Sequence, residues 1–183
     1  MLETATLAGG CFWCTEAIFK RLKGVELVVS GYTGGTTDNP NYEQVSHGDT
    51  GHAEGIQIKF DPAVISFDKI LDVFWATHDP TTLNQQGADV GTQYRSAIFY
   101  HDEIQKQIAE KSMQKLAASG KLKNPIVTKL EPFSKFYPAE DYHQDYYERN
   151  KETNSYCPLV IDPKIQKLMR SFSEDIKEEY KTS

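Results

Sequence analysis

Two cysteines stand three positions apart near the start of the chain, in the segment Gly10-Cys11-Phe12-Trp13-Cys14. A cysteine is a strong nucleophile only as the thiolate, and its pKa falls at a helix N-terminus, where unpaired N–H groups favour negative charge. Cys11 follows two glycines that permit a tight turn and precedes a stretch of helical composition. The segment therefore predicts a reactive Cys11 at a helix start, and a buried structural cysteine is the alternative.

Cys14 lies within disulfide reach of Cys11 if both belong to the first turn of a helix. An oxidised Cys11 would then be resolved by Cys14. The competing interpretation is a zinc site completed by Cys157 and a histidine. A second paired motif is missing, however, and the histidines show no spacing such as H-x-x-x-H. We therefore expect neither a metal nor another cofactor.

Glu54 is the most informative acid because of its place in a predicted strand. The apolar residues that share its parity are Ile56, Ile58 and Phe60. A carboxyl on that face is desolvated, which raises its pKa and lets it hold a proton as a general acid. If Glu54 is instead exposed at the first position of the strand, its parity means little.

Four further polar residues are weaker candidates. Tyr42 and Tyr94 border polar loops, and each carries a hydroxyl that can donate to a developing oxyanion. Most tyrosines simply pack, however, and Asp89 is equally consistent with a turn residue bonded within its own loop. His143 fits a contact to the substrate, or alternatively a partly exposed helix face.

These residues need elements that position them, and the hydrophobic periodicity predicts the order βαββαβ. The predicted strands span residues 2–8, 25–29, 54–60 and 95–100, and the predicted helices 14–22, 66–74 and 102–118. Long polar loops cover 33–51 and 78–93, a further strand is expected at 127–130, and a terminal helix starts at Asp162-Pro163. The apolar face of that helix comprises Ile165, Leu168, Met169, Phe172 and Ile176.

This order predicts an α+β fold, a ferredoxin-like two-layer α/β sandwich with a mixed sheet, long loops and additional C-terminal helices. No internal repeat or linker divides the chain. We expect a single catalytic domain over residues 1–183, with a core of about 1–130 and a C-terminal extension of about 131–183 packed on it.

Composition restricts the possible partners. The 183 residues carry a net charge of −6, and no dense Lys/Arg run is available to neutralise a phosphate backbone, so we expect no nucleic acid. The sequence shows no signal peptide and no apolar run long enough for a membrane span. Three cysteines are too few for a secreted disulfide framework. We therefore expect a cytoplasmic monomer.

Five motifs together resemble the peptide methionine sulfoxide reductase A family, over about residues 7–147. They are Gly10-Cys11-Phe12-Trp13, Gly31-Tyr32-Thr33-Gly34-Gly35, Asn39-Pro40-Asn41-Tyr42, Gly48-Asp49-Thr50-Gly51-His52-Ala53-Glu54 and Gly91-Thr92-Gln93-Tyr94-Arg95-Ser96. The resemblance implies reduction of S-methionine sulfoxide, both free and in proteins. It also implies a role in protein repair under oxidative stress and recycling by thioredoxin.

The resemblance further assigns roles to individual residues. It makes Cys11 the nucleophile and Glu54 the proton donor to the sulfoxide oxygen, which the hydroxyls of Tyr42 and Tyr94 hold. It also makes Asp89 an acid that fixes the hydrogen bonds of the site. The aromatic residues that embrace the substrate methyl group are Phe12 and Trp13.

One departure from the family concerns the resolving cysteine. Many members have glycine where this chain has Cys14, and they use a cysteine from a glycine-rich C-terminal tail that is not evident here. We therefore favour Cys14 over Cys157 as the resolving residue, and a shuttle through both stays open. The rival classes are a thioredoxin-type thiol-disulfide oxidoreductase and a zinc-dependent binding module.

Overall fold

A six-stranded mixed sheet forms the centre of the fold in the computed structural model, which describes residues 1–181. Residues 182 and 183 of the predicted domain lie outside the described residues. The strands are β1 (Glu3–Gly9), β2 (Val25–Thr33), β3 (Ala53–Phe60), β4 (Gln85–Gln86), β5 (Asp89–Val90), β6 (Ser96–Tyr100), β7 (Lys129–Pro132) and β8 (Phe136–Pro138). The sheet order is β7-β6-β1-β3-β2-β8, and β4 and β5 form a separate hairpin. Only β6 and β7 pair in parallel within the sheet; its other neighbours are antiparallel.

Six α-helices accompany the sheet in the described part of the chain. They are α1 (Phe12–Phe19), α2 (Tyr42–His47), α3 (Phe67–Thr77), α4 (Glu103–Ala118), α5 (Tyr146–Asn150) and α6 (Asp162–Ser171). Three of them begin after a residue whose side chain accepts a hydrogen bond from the first helical turn: Asn41, Ser66 and Asp102. Such caps satisfy N–H groups that have no partner within the helix, and so they fix where these helices start.

The main hydrophobic core lies against one face of the sheet. Alternation along β1 sends Ala5 and Leu7 into this core, which α1, α3, α4 and α6 complete, and sends Ala8 to the opposite face. There Ala8 belongs to a smaller cluster with Ala97 and Phe99. Because β1 is central in the sheet and buried on both faces, the turn that follows it rests on a rigid base.

The α+β class and the mixed sheet agree with the sequence prediction, whereas several details differ. The predicted loops contain α2 and the β4–β5 hairpin, and β8 and α5 were not predicted. The first helix begins at Phe12 and ends at Phe19, whereas the prediction was 14–22.

The predicted terminal helix is wrong at its C-terminal end. Helix α6 stops at Ser171, so Phe172 and Ile176 do not continue its apolar face. Ile176 instead forms a β-bridge with Leu22, and the N–H of Lys23 donates to the carbonyl of Asp175. These long-range backbone hydrogen bonds replace the helical ones, and both Ile176 and Leu22 are fully buried.

Candidate active site

The turn between β1 and α1 presents Cys11. Gly10 has φ +92°, and a Cβ there would lie 2.7 Å from the Cγ of Gln86, so the position requires glycine. Cys11 is the N-cap of α1, and its carbonyl accepts the N–H of Cys14 at 3.1 Å. Its side chain is 8 % exposed. The turn therefore places the Cys11 thiol at the helix N-terminus, as the sequence predicts.

Glu54 faces the same helix start from the neighbouring strand. β3 pairs with β1 up to Leu7 and Ile56, so Glu54, two residues before Ile56, lies beside the C-terminal end of β1. Its Oε2 accepts the N–H of Phe12 at 3.0 Å, and the residue is 2 % exposed. Burial raises the pKa of Glu54 to about 8, against the opposing effect of the Phe12 N–H. The carboxyl is therefore mostly protonated at neutral pH.

Cys11 and Cys14 form a hydrogen-bonded pair of thiols. The hydrogen bond from Cys11 lowers the pKa of Cys14 to about 7, with further help from the charge of Lys164. Burial, the bond to Cys14 and the charge of Glu54 raise the pKa of Cys11. In this arrangement the first thiolate of the pair is therefore on Cys14, with Cys11 donating to it. The sequence prediction of a lowered pKa at Cys11 itself does not hold here.

Two tyrosines approach this centre from other elements. Tyr42 is the first residue of α2, and Tyr94 ends the 3-10 turn Thr92–Tyr94 and packs against the cysteines. Burial and the charge of Glu54 raise the pKa of both phenols above their usual value. Both hydroxyls therefore stay protonated and can act as hydrogen-bond donors.

Glu140 binds the backbone of Tyr42 at the start of α2. Its two carboxylate oxygens accept the N–H of Tyr42 at 3.0 Å and the hydroxyl of Tyr32 at 2.9 Å. Partial burial raises the pKa of Glu140, but these bonds and one from its own backbone outweigh it and bring the pKa below its usual value. The ionised carboxylate thus ties the start of α2 to β2.

Aromatic rings form a wall beside Cys11. Trp13 stacks on Tyr146 with ring centroids 3.7 Å apart and an interplanar angle of 5°. Its Nε1–H donates to Nδ1 of His143 at 3.0 Å, and the His143 ring also packs against Phe12 and Tyr42. His143 is 1 % exposed in the 3-10 turn Asp141–His143, so the alternative of an exposed helix face is wrong.

Asp89 is linked to the Cys14 thiol through the hydroxyl of Tyr156. On β5, its Oδ2 accepts the hydroxyl of Tyr156 at 2.7 Å, and the same hydroxyl lies 3.7 Å from the Cys14 sulfur. Asp89 therefore fixes the hydroxyl that touches Cys14.

Cys157 follows Tyr156 and opens the π-helical turn Cys157–Ile161, which leads into α6. It is fully buried in one cluster with Cys11 and Cys14, and burial raises the pKa of its thiol. The structure thus brings all three cysteines together as free thiols. Within residues 1–181, no group of three or more His, Cys, Asp or Glu side chains forms a metal site.

Comparison with known proteins decides between the classes that the sequence left open. The family model described as "Peptide methionine sulfoxide reductase" matches residues 3–177. The chain belongs to this family. The reductase is 57 % identical over 175 residues to peptide methionine sulfoxide reductase MsrA 1 of Rhodopirellula baltica, covering 96 % of this chain and 90 % of that protein. It is therefore an oxidoreductase that reduces methionine sulfoxide, and the resemblance seen in the sequence motifs is confirmed.

Solved structures agree with this assignment. Reduced Mxr1 from Saccharomyces cerevisiae is 37 % identical to the reductase and matches it with a TM-score of 0.75, covering 87 % of this chain and 91 % of that chain. Mxr1 in complex with Trx2 is 28 % identical and matches with a TM-score of 0.52, covering 79 % and 84 %. No helix within residues 1–181 of the reductase is long and apolar enough to cross a membrane.

Sequence reasoning missed several residues of the site. Glu140, Tyr146 and Tyr156 contact Tyr42, Trp13 and Cys14 across about a hundred residues or more of chain. The available signals were weak: Glu140 stands three positions before His143, and Tyr156 stands directly before Cys157.

Proposed function

We propose that Cys11 is the nucleophile of this reductase and that the S epimer of methionine sulfoxide, free or in proteins, is its substrate. The observation that carries the proposal is the convergence of the Cys11 thiol with the carboxyl of Glu54 at the start of α1. Glu54 is protonated near neutral pH, which suits a general acid next to a sulfoxide oxygen.

The first step activates the sulfoxide oxygen. Glu54 donates its proton to that oxygen while the hydroxyls of Tyr42 and Tyr94 hold it, because negative charge develops there as the sulfur–oxygen bond weakens. Both phenols are protonated and border the same centre as Glu54.

The second step is attack by Cys11 on the sulfoxide sulfur. Since Cys11 donates a hydrogen bond to Cys14, the Cys14 thiolate accepts the Cys11 proton as the attack proceeds. The oxygen passes to Cys11, two electrons pass from the Cys11 sulfur to the substrate sulfur, and methionine leaves. Cys11 is then a sulfenic acid.

The substrate methyl group lies against Phe12 and Trp13. Phe12 is fully buried, and Trp13 is held on two sides by its stack on Tyr146 and its hydrogen bond to His143. His143 thereby contributes to substrate binding by fixing the Trp13 ring.

Resolution of the sulfenic acid is assigned to Cys14. Its thiol condenses with the Cys11 sulfenic acid, which forms the Cys11–Cys14 disulfide and releases water. Contact between the two sulfurs in the thiol state supports Cys14, whereas burial raises the pKa of Cys157 and makes its thiol less reactive.

Thioredoxin is the proposed reductant. Its dithiol would reduce the Cys11–Cys14 disulfide through a mixed disulfide and become oxidised itself. The solved complex of yeast Mxr1 with Trx2 supports this partner. We expect a monomer in the cytoplasm, which remains a prediction.

The finer description of the fold is also a proposal. Four strands lie side by side in the order β6-β1-β3-β2, each antiparallel to its neighbours, and α1 and α3 lie in the two βαβ connections. This order supports a ferredoxin-like βαββαβ core. We also propose a single domain, in which residues beyond about 130 pack on that core; pairing of β8 with β2 supports it.

The experiment that tests the catalytic proposal is a single turnover without reductant. Enzyme treated with one equivalent of S-methionine sulfoxide should give about one methionine, and thiol mass spectrometry should find Cys11 in the new disulfide. Cys11→Ser should give no methionine. The R epimer serves as the negative control, and methionine formation by the Cys11→Ser protein would overturn the assignment.

A further inference from the structure

A groove of about 1340 Å³ lies beside the resolving cysteine. Segments from α3, α4, the loop after α4, the β4–β5 hairpin and α6 line it. Its apolar lining includes Trp75, Leu116, Leu122, Leu159, Val160 and Phe172. Leu159 is 74 % exposed, so its side chain is available for an apolar contact with a partner.

The charge of the groove is opposite to that of the whole chain. Five lysines line it: Lys115, Lys121, Lys123, Lys164 and Lys167. None of the five forms a salt bridge with a carboxylate in the described part of the chain. Three aspartates also line it, namely Asp72, Asp79 and Asp89, and the last accepts the Tyr156 hydroxyl. The groove therefore keeps an excess of positive charge on a chain of net charge −6.

The groove adjoins Cys14 through Tyr156. The Tyr156 ring lines the groove, and its hydroxyl lies 3.7 Å from the Cys14 sulfur. Cys14 itself is 1 % exposed, so a protein reductant reaches its sulfur only after Tyr156 moves. The π-helical turn Cys157–Ile161 directly follows Tyr156. It carries Leu159 and Val160, which form part of the groove wall.

We propose that this groove is the docking surface for the protein that reduces the enzyme: a dithiol protein whose contact face is acidic, with an apolar patch around its thiols. The inference rests on the proposed function, because it requires an oxidised Cys14 that needs an external reductant. Unpaired lysines attract such a face and speed its encounter, while the exposed Leu159 gives it an apolar contact.

An acidic stretch of a protein substrate is the other occupant with matching charge. The position of the groove favours the reductant. Phe12 and Trp13, the proposed wall for the substrate methyl group, do not belong to the groove lining, whereas Tyr156 does. The groove thus adjoins the resolving thiol, and the two residues proposed to hold the substrate methyl group are not part of its lining.

The test reverses three groove charges that lie outside the catalytic centre. The variant is Lys121→Glu, Lys123→Glu and Lys167→Glu combined, and the matched control reverses Lys59, Lys111 and Lys129, which are exposed outside the groove. Each protein is assayed for single-turnover methionine formation, for turnover with dithiothreitol, and for the KM of an acidic thioredoxin kept reduced by thioredoxin reductase and NADPH.

We expect the groove variant to raise the KM for thioredoxin about tenfold, since steering charges change association rates by about 10- to 1000-fold. Its single-turnover rate and its turnover with dithiothreitol should equal those of the wild type. Added salt should raise the wild-type KM and have a smaller effect on that of the groove variant.

Other outcomes distinguish failure of docking in the groove from failure of the proposed function. Equal KM values for the groove and control variants would overturn docking in the groove. A rise confined to the KM of an acidic methionine sulfoxide peptide would also overturn it, because the groove would then bind substrate. Absence of any methionine formation by the wild type, with or without dithiothreitol, would instead refute the proposed function.

Discussion

The carboxyl of Glu54 accepts a hydrogen bond of 3.0 Å from the backbone N–H of Phe12, the first residue of α1. A helix N-terminus stabilises a carboxylate, yet burial outweighs this effect and raises the pKa of Glu54 to about 8. The same helix start carries Cys11. One turn of backbone thus orients both the acid and the nucleophile.

The rate of the first turnover should depend on pH through two groups. Cys14 must be ionised to accept the Cys11 proton, and its pKa is about 7; Glu54 must be protonated, and its pKa is about 8. The rate should therefore rise through about pH 7 and fall above about pH 8. Glu54→Gln should lower the rate about 10²- to 10⁴-fold and remove the alkaline limb.

Rapid-quench measurement of methionine across pH checks this prediction. Glu26→Gln, an exposed change on β2, is the matched control and should keep the wild-type profile. If Glu54→Gln retains the full rate and the alkaline limb, Glu54 is not the acid.

Glu54 should also reduce stability as pH rises. In the unfolded chain it ionises near 4.5, whereas in the folded protein it stays neutral up to about 8. Between these two pH values, ionisation of Glu54 stabilises the unfolded chain but not the folded protein. At pH 7 it therefore lowers the free energy of unfolding by about 3 kcal/mol. Urea unfolding from pH 4 to 8 should show a smaller loss of unfolding free energy in Glu54→Gln than in wild type or Glu26→Gln. Parallel curves for all three proteins would contradict this.

The burial of Glu54 was predictable because strand parity is a local property. The alternation through Ile56, Ile58 and Phe60 assigns Glu54 to the core side, and the structure confirms it. The strand, glycine turn and helix around Cys11 were predictable for the same reason: each signal lies within a few residues.

The parts that escaped prediction depend on contacts distant in sequence. Glu140 joins Tyr32 to the start of α2 across 108 and 98 residues of chain. Helix α5 has five residues and none of them is buried, so it leaves no apolar periodicity. Helix α6 ends at Ser171, shortly before Ile176 pairs with Leu22, and its own sequence gives no indication of that pairing.

Cys14→Ser should separate the first turnover from recycling. The variant should still form about one methionine per enzyme, more slowly because serine does not accept the Cys11 proton, and it should not cycle with thioredoxin. Cys157→Ser, the matched change in the same cluster, should keep cycling. Methionine counting with and without thioredoxin distinguishes them, and full cycling by Cys14→Ser would transfer the resolving role to Cys157.

Tyr156→Phe should raise the pKa of Cys14. Its hydroxyl lies 3.7 Å from the Cys14 sulfur and donates to Asp89, whose negative charge raises the pKa of that thiol and would lose this partner in the variant. Thiolate absorbance and alkylation rate, both followed against pH, report the shift. Tyr147→Phe removes a hydroxyl that donates to Asp162 instead and should leave the thiol titration unchanged. Identical titrations for wild type and Tyr156→Phe would mean that the contact is without effect.

Tyr146→Leu should weaken substrate binding through Trp13. The two rings stack at 3.7 Å, and the buried carboxyl of Glu16 fixes the stack by accepting the N–H of Asp145 at 2.8 Å. An aromatic pair contributes about 0.5–1.5 kcal/mol, so loss of the stack should raise the KM for S-methionine sulfoxide about two- to tenfold. The rate at saturating substrate should change less, because Cys11 and Glu54 are untouched.

Steady-state kinetics with dithiothreitol as reductant measure both parameters for Tyr146→Leu. Tyr100→Leu, on β6 at the opposite end of the strand from Tyr94, is the matched control and should keep the wild-type KM. Restoration of the KM by Tyr146→Phe would show that the ring, not the hydroxyl, holds Trp13. An unchanged KM in Tyr146→Leu would mean that the hydrogen bond from Trp13 to His143 alone is sufficient to hold the indole in place.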